Sequence, residues 1–453
     1  MIWLILILGL ILRLISLNQS FWLDEATSAT VVKTLNFGEI ITKFSPGDFH
    51  PPLYYLILKA WSIPFGVSEI SARSLSILFG LGTVYLVYLI AKNFKTKSFA
   101  VSAAILLATA PLHVYYSQEA RMYAMETFLV ALSVFIFMMA FKDGKIWQWL
   151  LFSISLVLVG AVDYLPLLII PVFWLYSFFK ARGIGYYTKL VLAHLPLGIA
   201  FAFWSPTLTG QLSAGLSVES SSPGWWKVLG QAGIKEVALL PVKFMIGRIG
   251  FDNKIIYGVV VGIAALFFGY LIFKSVKVLK KNSLNFYWLA VPALLAFIIG
   301  LKVSVFGYFR LLFILPAFYL VVTLGLYQVK KKYFPILFLG LVFLNTAFSL
   351  TYLLNTKFQR EDWRGVVSKI GGSPVVFPAK SQREAFLYYN SNPNVVEPEK
   401  LNKNMESKEF YLMRYVADIF DPEDKVKNKI EEAGYKKAED LNFNGVVVWR
   451  YEK

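Results

Sequence analysis

The chain contains no cysteine. That excludes disulfides, thiolate metal sites and thiol nucleophiles. It is also poor in charge. Only 16% of its residues are Asp, Glu, Lys or Arg, against roughly 25% in soluble domains. Acids are scarcer than bases, 28 against 45. No Walker-type phosphate loop and no glycine-rich dinucleotide turn occurs, which argues against ATP-driven transport by this chain. What the sequence has in excess is apolar and aromatic side chains, 57% and 17% of its 453 residues. A hydrocarbon core about 30 Å thick needs about 20 apolar residues of helix, and such runs recur from Met1 to about Asn355. The first run lacks the basic n-region and small-residue cleavage site of a signal peptide, so it reads as a retained span.

These features predict a polytopic α-helical membrane protein. Spans are expected near 1–17, 73–91, 98–114, 123–141, 147–162, 165–179, 190–205, 256–273, 285–301, 308–328 and 333–354, which is about eleven. Alternate loops then carry fifteen basic residues and one acid, Asp143, with Lys92, Lys142, Lys281 and the run Lys330–Lys332 among the bases. By the positive-inside rule that face is cytoplasmic. The expected placement is multi-pass in the cell (plasma) membrane, with the N-terminus cytoplasmic. The net charge of +17 is therefore a topology signal, and a nucleic-acid partner is not expected. Residues 355–453 hold 17 bases and 16 acids, and their alternating short strands and helices predict a small extracytoplasmic α/β domain. The division is thus 1–355 for the membrane domain and 356–453 for the tail. Within the tail, helices are expected at Trp363–Ile370, Gln382–Tyr389 and Pro422–Ala433, and strands at Pro374–Pro378, Glu409–Val416 and Val446–Tyr451. Long external loops, 18–72 and 206–255, are where function tends to sit. The apolar stretch 52–66 is short and carries Lys59, so an interfacial helix fits it better than a span.

Two clusters carry chemistry. The first loop opens with Ser20-Phe-Trp-Leu-Asp24-Glu25-Ala and ends in His50-Pro-Pro-Leu-Tyr54-Tyr55. A carboxylate at the membrane surface can act as general base toward an acceptor hydroxyl or bind a divalent cation. Alternatively, Ser20 caps a helix whose first turn accommodates both acids. The second cluster is His113-Val-Tyr-Tyr-Ser-Gln-Glu119-Ala-Arg121-Met-Tyr123, at the outer join of two spans. Glu119 is a candidate metal ligand or sugar contact, and Arg121 suits a phosphate. An interfacial Glu–Arg pair is the plainer alternative. Arg73, Asp163 and Arg310 fall at external span ends, where single charges are more often anchors. His50 and His113 form no tight metal motif. Trp225–Trp226 could stack on a sugar or lie at the interface.

The segments Leu-Asp24-Glu25-Ala, His50-Pro-Pro-Leu-Tyr-Tyr, Ser-Ala-Arg73-Ser-Leu-Ser and Tyr-Tyr-Ser-Gln-Glu119-Ala-Arg121-Met-Tyr-Ala occur in one order. In that order they resemble the GT-C glycosyltransferases of the protein O-mannosyltransferase and aminoarabinose-transferase group. The resemblance runs from Met1 to about Trp363-Arg364-Gly365. It implies a GT-C fold with juxtamembrane helices in the first external loop, and a hexosyl or pentosyl transferase that uses a polyprenyl-phosphate sugar. It implies inversion at the anomeric carbon, with Asp24 as general base and Glu25 as its acidic neighbour. Arg121, Arg73 and Arg310 become candidates for the donor phosphate. His50, Tyr54, Glu119, Tyr123 and Asp163 become candidate sugar contacts, and a divalent cation at Glu119 and His50 is a candidate cofactor. Expected partners are the lipid-linked donor, the bilayer, and a protein, lipid or glycan acceptor. Two departures stand out: Asp163-Tyr164 where relatives often have His-Tyr, and no Asp-x-Asp in the second external loop. A transporter or flippase of lipid-linked sugars, and a scaffold that binds a partner through its tail, are the competing classes.

Overall fold

The structure is a computed structural model that describes residues 1–180, 183–221, 230, 232–401 and 407–453. Trp225–Trp226 lie outside the described residues. Six described helices are long and apolar enough to cross a bilayer. A seventh crossing arises if Lys97–Thr109 and Pro111–Ser117, bent by 61°, act as one broken span. The bend falls where Pro111 cannot donate to the preceding turn. The other expected spans are shorter apolar helices, Ile2–Leu14, Ile146–Val162, Leu165–Phe179 and Leu312–Leu326. Eleven crossings would therefore require helices below the usual length.

Burial sorts the helices. Glu69–Phe94 and Tyr123–Asp143 are mostly enclosed by protein, whereas Ile184–Ser221 and Lys254–Ser275 are mostly exposed. On the exposed pair, Phe203 and Leu266 show 84% and 78% of their surface. Hydrocarbon is the solvent that suits such faces. The expected span at 308–328 is instead a short core helix, Leu315–Leu326, preceded by a 3-10 turn and buried on every side. Close helix contact depends on glycine. A Cβ on Gly325 would lie 1.7 Å from the Leu271 carbonyl oxygen, and one on Gly80 would lie 2.2 Å from Ser117 Oγ.

The loops differ from expectation in one respect. The helix that begins at Ile184 continues to Ser221, through Pro196 and Pro206, so the first part of the expected loop 206–255 is helical. A second helix, Ile234–Ile246, occupies its later part. The first loop folds into helices Leu23–Thr34 and Leu53–Phe65 joined by short turns.

Beyond Leu354 the chain forms a five-stranded sheet with helices. Its strands are β1 (Val375–Val376), β2 (Val395–Val396), β3 (Glu409–Met413), β4 (Lys436–Phe443) and β5 (Val446–Glu452). The order is β2-β1-β3-β5-β4. β1 is parallel to β2 and β3, and β5 is antiparallel to β3 and β4. β4 was not expected. Its sequence, Lys-Lys-Ala-Glu-Asp-Leu-Asn-Phe, looks like a solvated coil because it is an exposed edge strand. The turn into β5 is Asn444-Gly445, both at positive φ, the two-residue pattern that favours a tight hairpin.

This tail is anchored on the first loop. Ser20 Oγ donates to the Glu361 carbonyl at 2.8 Å, and the Arg360 amide donates to Gln19 Oε1 at 2.8 Å. The Phe21 amide donates to Tyr389 Oη at 2.7 Å. Tyr389 in turn donates to Glu69 Oε1 at 2.5 Å. Phe21 and Tyr388 pack edge to face.

Candidate active site

The site is built on one helical turn. Helix Leu23–Thr34 begins immediately before the acidic pair. Ser20 does not cap it, because its hydroxyl points to Glu361. Successive residues on a helix diverge by about 100°, so Asp24 and Glu25 face different surroundings. Glu25 is fully buried. Its Oε1 accepts from Arg73 Nε at 2.9 Å and from the Ala120 amide at 2.7 Å, and its Oε2 accepts from Arg73 Nη2 at 2.6 Å. Arg360 Nε lies 3.7 Å from the same oxygen. Burial alone would raise the Glu25 carboxyl. The charges of Arg73 and Arg360, with these hydrogen bonds, outweigh it and hold the group below its ordinary value.

Arg73 is engaged on all five donors. Besides Glu25, it binds the carbonyls of Leu17 at 2.7 Å, Gln19 at 2.6 Å and Ser20 at 3.1 Å. A guanidinium so used has nothing left for a phosphate. Its function is to tie the end of the first span to the acidic helix.

Asp24 has the opposite environment. Its side chain is 41% exposed and has one ion-pair neighbour among the described residues, Arg121 Nη2 at 3.7 Å. It opens on a cavity of about 690 Å³. Asp24, His50, Glu119, Arg121, Tyr123 and Arg310 all line this cavity, so six of the expected residues converge. Glu25, Tyr54, Arg73 and Asp163 stand behind its wall. Asp163 Oδ2 is 3.2 Å from His50 Nδ1, so it orients a lining residue from the rear.

Three features were missed in the sequence. Arg360 donates to Glu119 Oε2 at 3.0 Å and sits over the Tyr115 ring. It links Glu119 to Glu25. Burial raises the Glu119 carboxyl, and Arg360 offsets this in part. Arg248 reaches the cavity from the second long loop and donates to Tyr115 Oη at 2.5 Å. The hairpin tip Asn444-Gly445 and Tyr415 close the cavity from the tail. Only the hairpin had a local signal, the Asn-Gly pair.

Arg121, Arg248, Arg310, Lys357 and Arg360 bring positive charge to this space, beside the acids Asp24, Asp48, Glu119 and Glu361. Arg121 donates to Tyr55 Oη at 3.0 Å, but its Nε is buried without a hydrogen-bond partner among the described residues, as is that of Arg310. A metal fits less well. The Glu119 carboxylate faces a guanidinium, His50 faces Asp163, and among the described residues no three His, Asp or Glu side chains gather. His113 pairs with Arg13, Nη2 to Nδ1 at 2.7 Å, inside the bundle and away from the cavity.

Residues 49–209 match the dolichyl-phosphate-mannose-protein mannosyltransferase family. The whole chain superposes on ArnT from Cupriavidus metallidurans bound to undecaprenyl phosphate. That match has a TM-score of 0.61 and 10% identity, and covers 99% of this chain and 97% of that one. The chain carries the GT-C fold. Two further structures of the fold come from Archaeoglobus fulgidus. One is its oligosaccharyltransferase in complex with Zn and sulfate, with a TM-score of 0.57, 12% identity and coverage of 99% and 72%. The other is its oligosaccharyltransferase AglB with an inhibitory peptide and a dolichol-phosphate, with a TM-score of 0.55, 12% identity and coverage of 99% and 73%. No curated protein sequence matches the chain. The chain thus shares its architecture with proteins seen holding polyprenyl phosphates, at identities where only the fold carries across.

Proposed function

We propose that the protein is an inverting glycosyltransferase that takes a sugar from a polyprenyl-phosphate donor and passes it to an acceptor hydroxyl. The observation that carries this reading is the exposed Asp24 carboxylate on a cavity rimmed by Arg121, Arg248 and Arg310. A base and a set of cations on one cavity are what this displacement needs. The acceptor oxygen attacks the anomeric carbon while Asp24 takes its proton. The bond from that carbon to the phosphate oxygen breaks, and the electron pair leaves on polyprenyl phosphate. Negative charge grows on the phosphate, and fixed guanidinium groups stabilise it without reorganising. Polyprenyl phosphate is a good leaving group, so no strong general acid is required.

Arg121 and Arg310 remain phosphate candidates, and Arg248 joins them. Arg73 does not, for want of free donors. Glu25 is a positioning residue, because its ion pair sets the helix that aims Asp24. His50, Glu119 and Tyr123 line the space left for the sugar. Residues 1–355 form the catalytic membrane domain in this reading, and 356–453 an extracytoplasmic α/β wall over it. The phosphate lipids and the peptide held by proteins of this fold support a lipid-linked donor and a protein acceptor.

The test is release of polyprenyl phosphate from a panel of lipid-linked sugars by purified protein, with membrane extract as acceptor. Asp24→Asn should abolish release with the melting temperature kept. Undiminished release would remove Asp24 as the base. No release from either protein, together with movement of labelled lipid across liposomes, would make the chain a flippase.

A further inference from the structure

A second cavity, of about 540 Å³, lies at the other end of the bundle. Glu69–Phe94 and Tyr123–Asp143 both start beside the site cavity, at Arg73 and Tyr123, and both end here, at Lys92 and Lys142. The separation is about 30 Å along such helices, the thickness of a hydrocarbon core. Lys281, at the end of the 3-10 turn Val276–Lys281 that precedes helix Ser283–Gly300, completes a rim of three lysines. All three are exposed, and none makes a hydrogen bond or ion pair with a described residue. The nearby acid, Asp143, already accepts from Gln148 Nε2 at 2.9 Å.

The interior is largely apolar, with the buried amides Asn282 and Asn285 in its lining. Leu89, Phe135, Met138 and Met139 form half-buried walls. Asn285 is 3% exposed, and its Oδ1 is buried without a hydrogen-bond partner among the described residues. A buried amide oxygen left unpaired is costly, so a group that reached it from this cavity would relieve that cost. Cations at the rim, hydrocarbon walls and an unmet amide match one ligand class. Basic pockets between spans bind anionic lipid headgroups in this manner.

We propose that this cavity binds an anionic phospholipid in the leaflet opposite the site cavity. Lys92, Lys142 and Lys281 hold the phosphate diester, and Asn285 meets a headgroup hydroxyl. The acyl chains lie along the methionine and phenylalanine walls. No covalent step is involved. The lipid bridges the elements that carry these lysines.

The experiment uses delipidated full-length protein in neutral detergent, titrated with phosphatidylglycerol, with phosphatidylcholine or with inorganic phosphate. Phosphatidylglycerol should raise the melting temperature by about 2 °C or more at saturation. The triple variant Lys92→Ala, Lys142→Ala, Lys281→Ala should lose that response. A control with the same charge change, Lys330→Ala, Lys331→Ala, Lys332→Ala, should keep it. Should the first triple variant not fold, the single variants should each weaken lipid retention in native mass spectra by about fivefold. Equal loss in both triple variants would reduce the effect to general surface charge. An equal response to phosphatidylcholine would remove headgroup selection, and a full response to inorganic phosphate alone would replace the lipid with a free anion. Any of these would overturn the proposal.

Discussion

The two cavities use charge in opposite ways. Around the site, buried charges are engaged with one another: Arg73 with Glu25, Arg360 with Glu119, His50 with Asp163. At the far end three exposed lysines make no hydrogen bond or ion pair with a described residue. The difference follows from what each end must do. A site that aims one carboxylate has to be rigid before substrate arrives, and buried, bidentate ion pairs fix geometry even where their net contribution to stability is small. A face turned to phospholipid headgroups can leave cations exposed, because the membrane supplies the anion.

That contrast can be broken at several points. The largest effect is expected from Asp24→Asn, with turnover down by about 10²- to 10⁴-fold and little change in melting temperature, since its side chain is 41% exposed. Retained activity would show that the site's exposed acid is not its base. Next in size is Arg73→Leu. It leaves Glu25 buried without its main partner, a loss of about 3–5 kcal/mol, to be read by chemical denaturation. The double variant Arg73→Leu, Glu25→Leu should recover part of that loss.

Arg248→Ala sharpens the comparison on the functional side. It should raise the concentration of lipid-linked donor needed for half-maximal rate by about tenfold, as for loss of a charged hydrogen bond, while the acceptor dependence stays unchanged. The acidic pair also has a pH signature. The Glu25 carboxyl is held below its ordinary value in the folded protein, so its contribution is complete above about pH 5. It is lost as pH falls through the lowered folded value. The stability gap between the native chain and Glu25→Gln should therefore narrow from pH 6 to pH 3. The smallest effect is at the far end. The triple lysine variant should alter the response to anionic lipid and leave turnover of a detergent-solubilised assay unchanged.

Much of the architecture was legible because it depends on local pattern. Apolar runs located most of the long helices to within a few residues, Ile184–Ser221 excepted, and Trp363–Ile370 and the strand at Glu409 follow from short-range periodicity. The core helix Leu315–Leu326 shows where that reasoning stops. An apolar stretch surrounded by protein reads the same as one surrounded by lipid. β4 was hidden for the converse reason, since its polar side chains suit an exposed edge. In the site, residue types announced charge but not pairing. Arg73 looked like a phosphate ligand until its five donors were placed. Arg360 gave no signal, because its partner Glu119 is 241 residues away.

The sequence by itself determined the helical membrane class and most of the apolar runs, and it singled out the Asp24–Glu25 pair as a candidate. Only the tertiary structure decided which acid of that pair faces the cavity, which arginines are free to meet an anion, and that the tail closes the site. The physical reason is that hydrophobic burial is written in local periodicity. The partner of a buried charge is chosen by groups that folding brings together from distant parts of the chain.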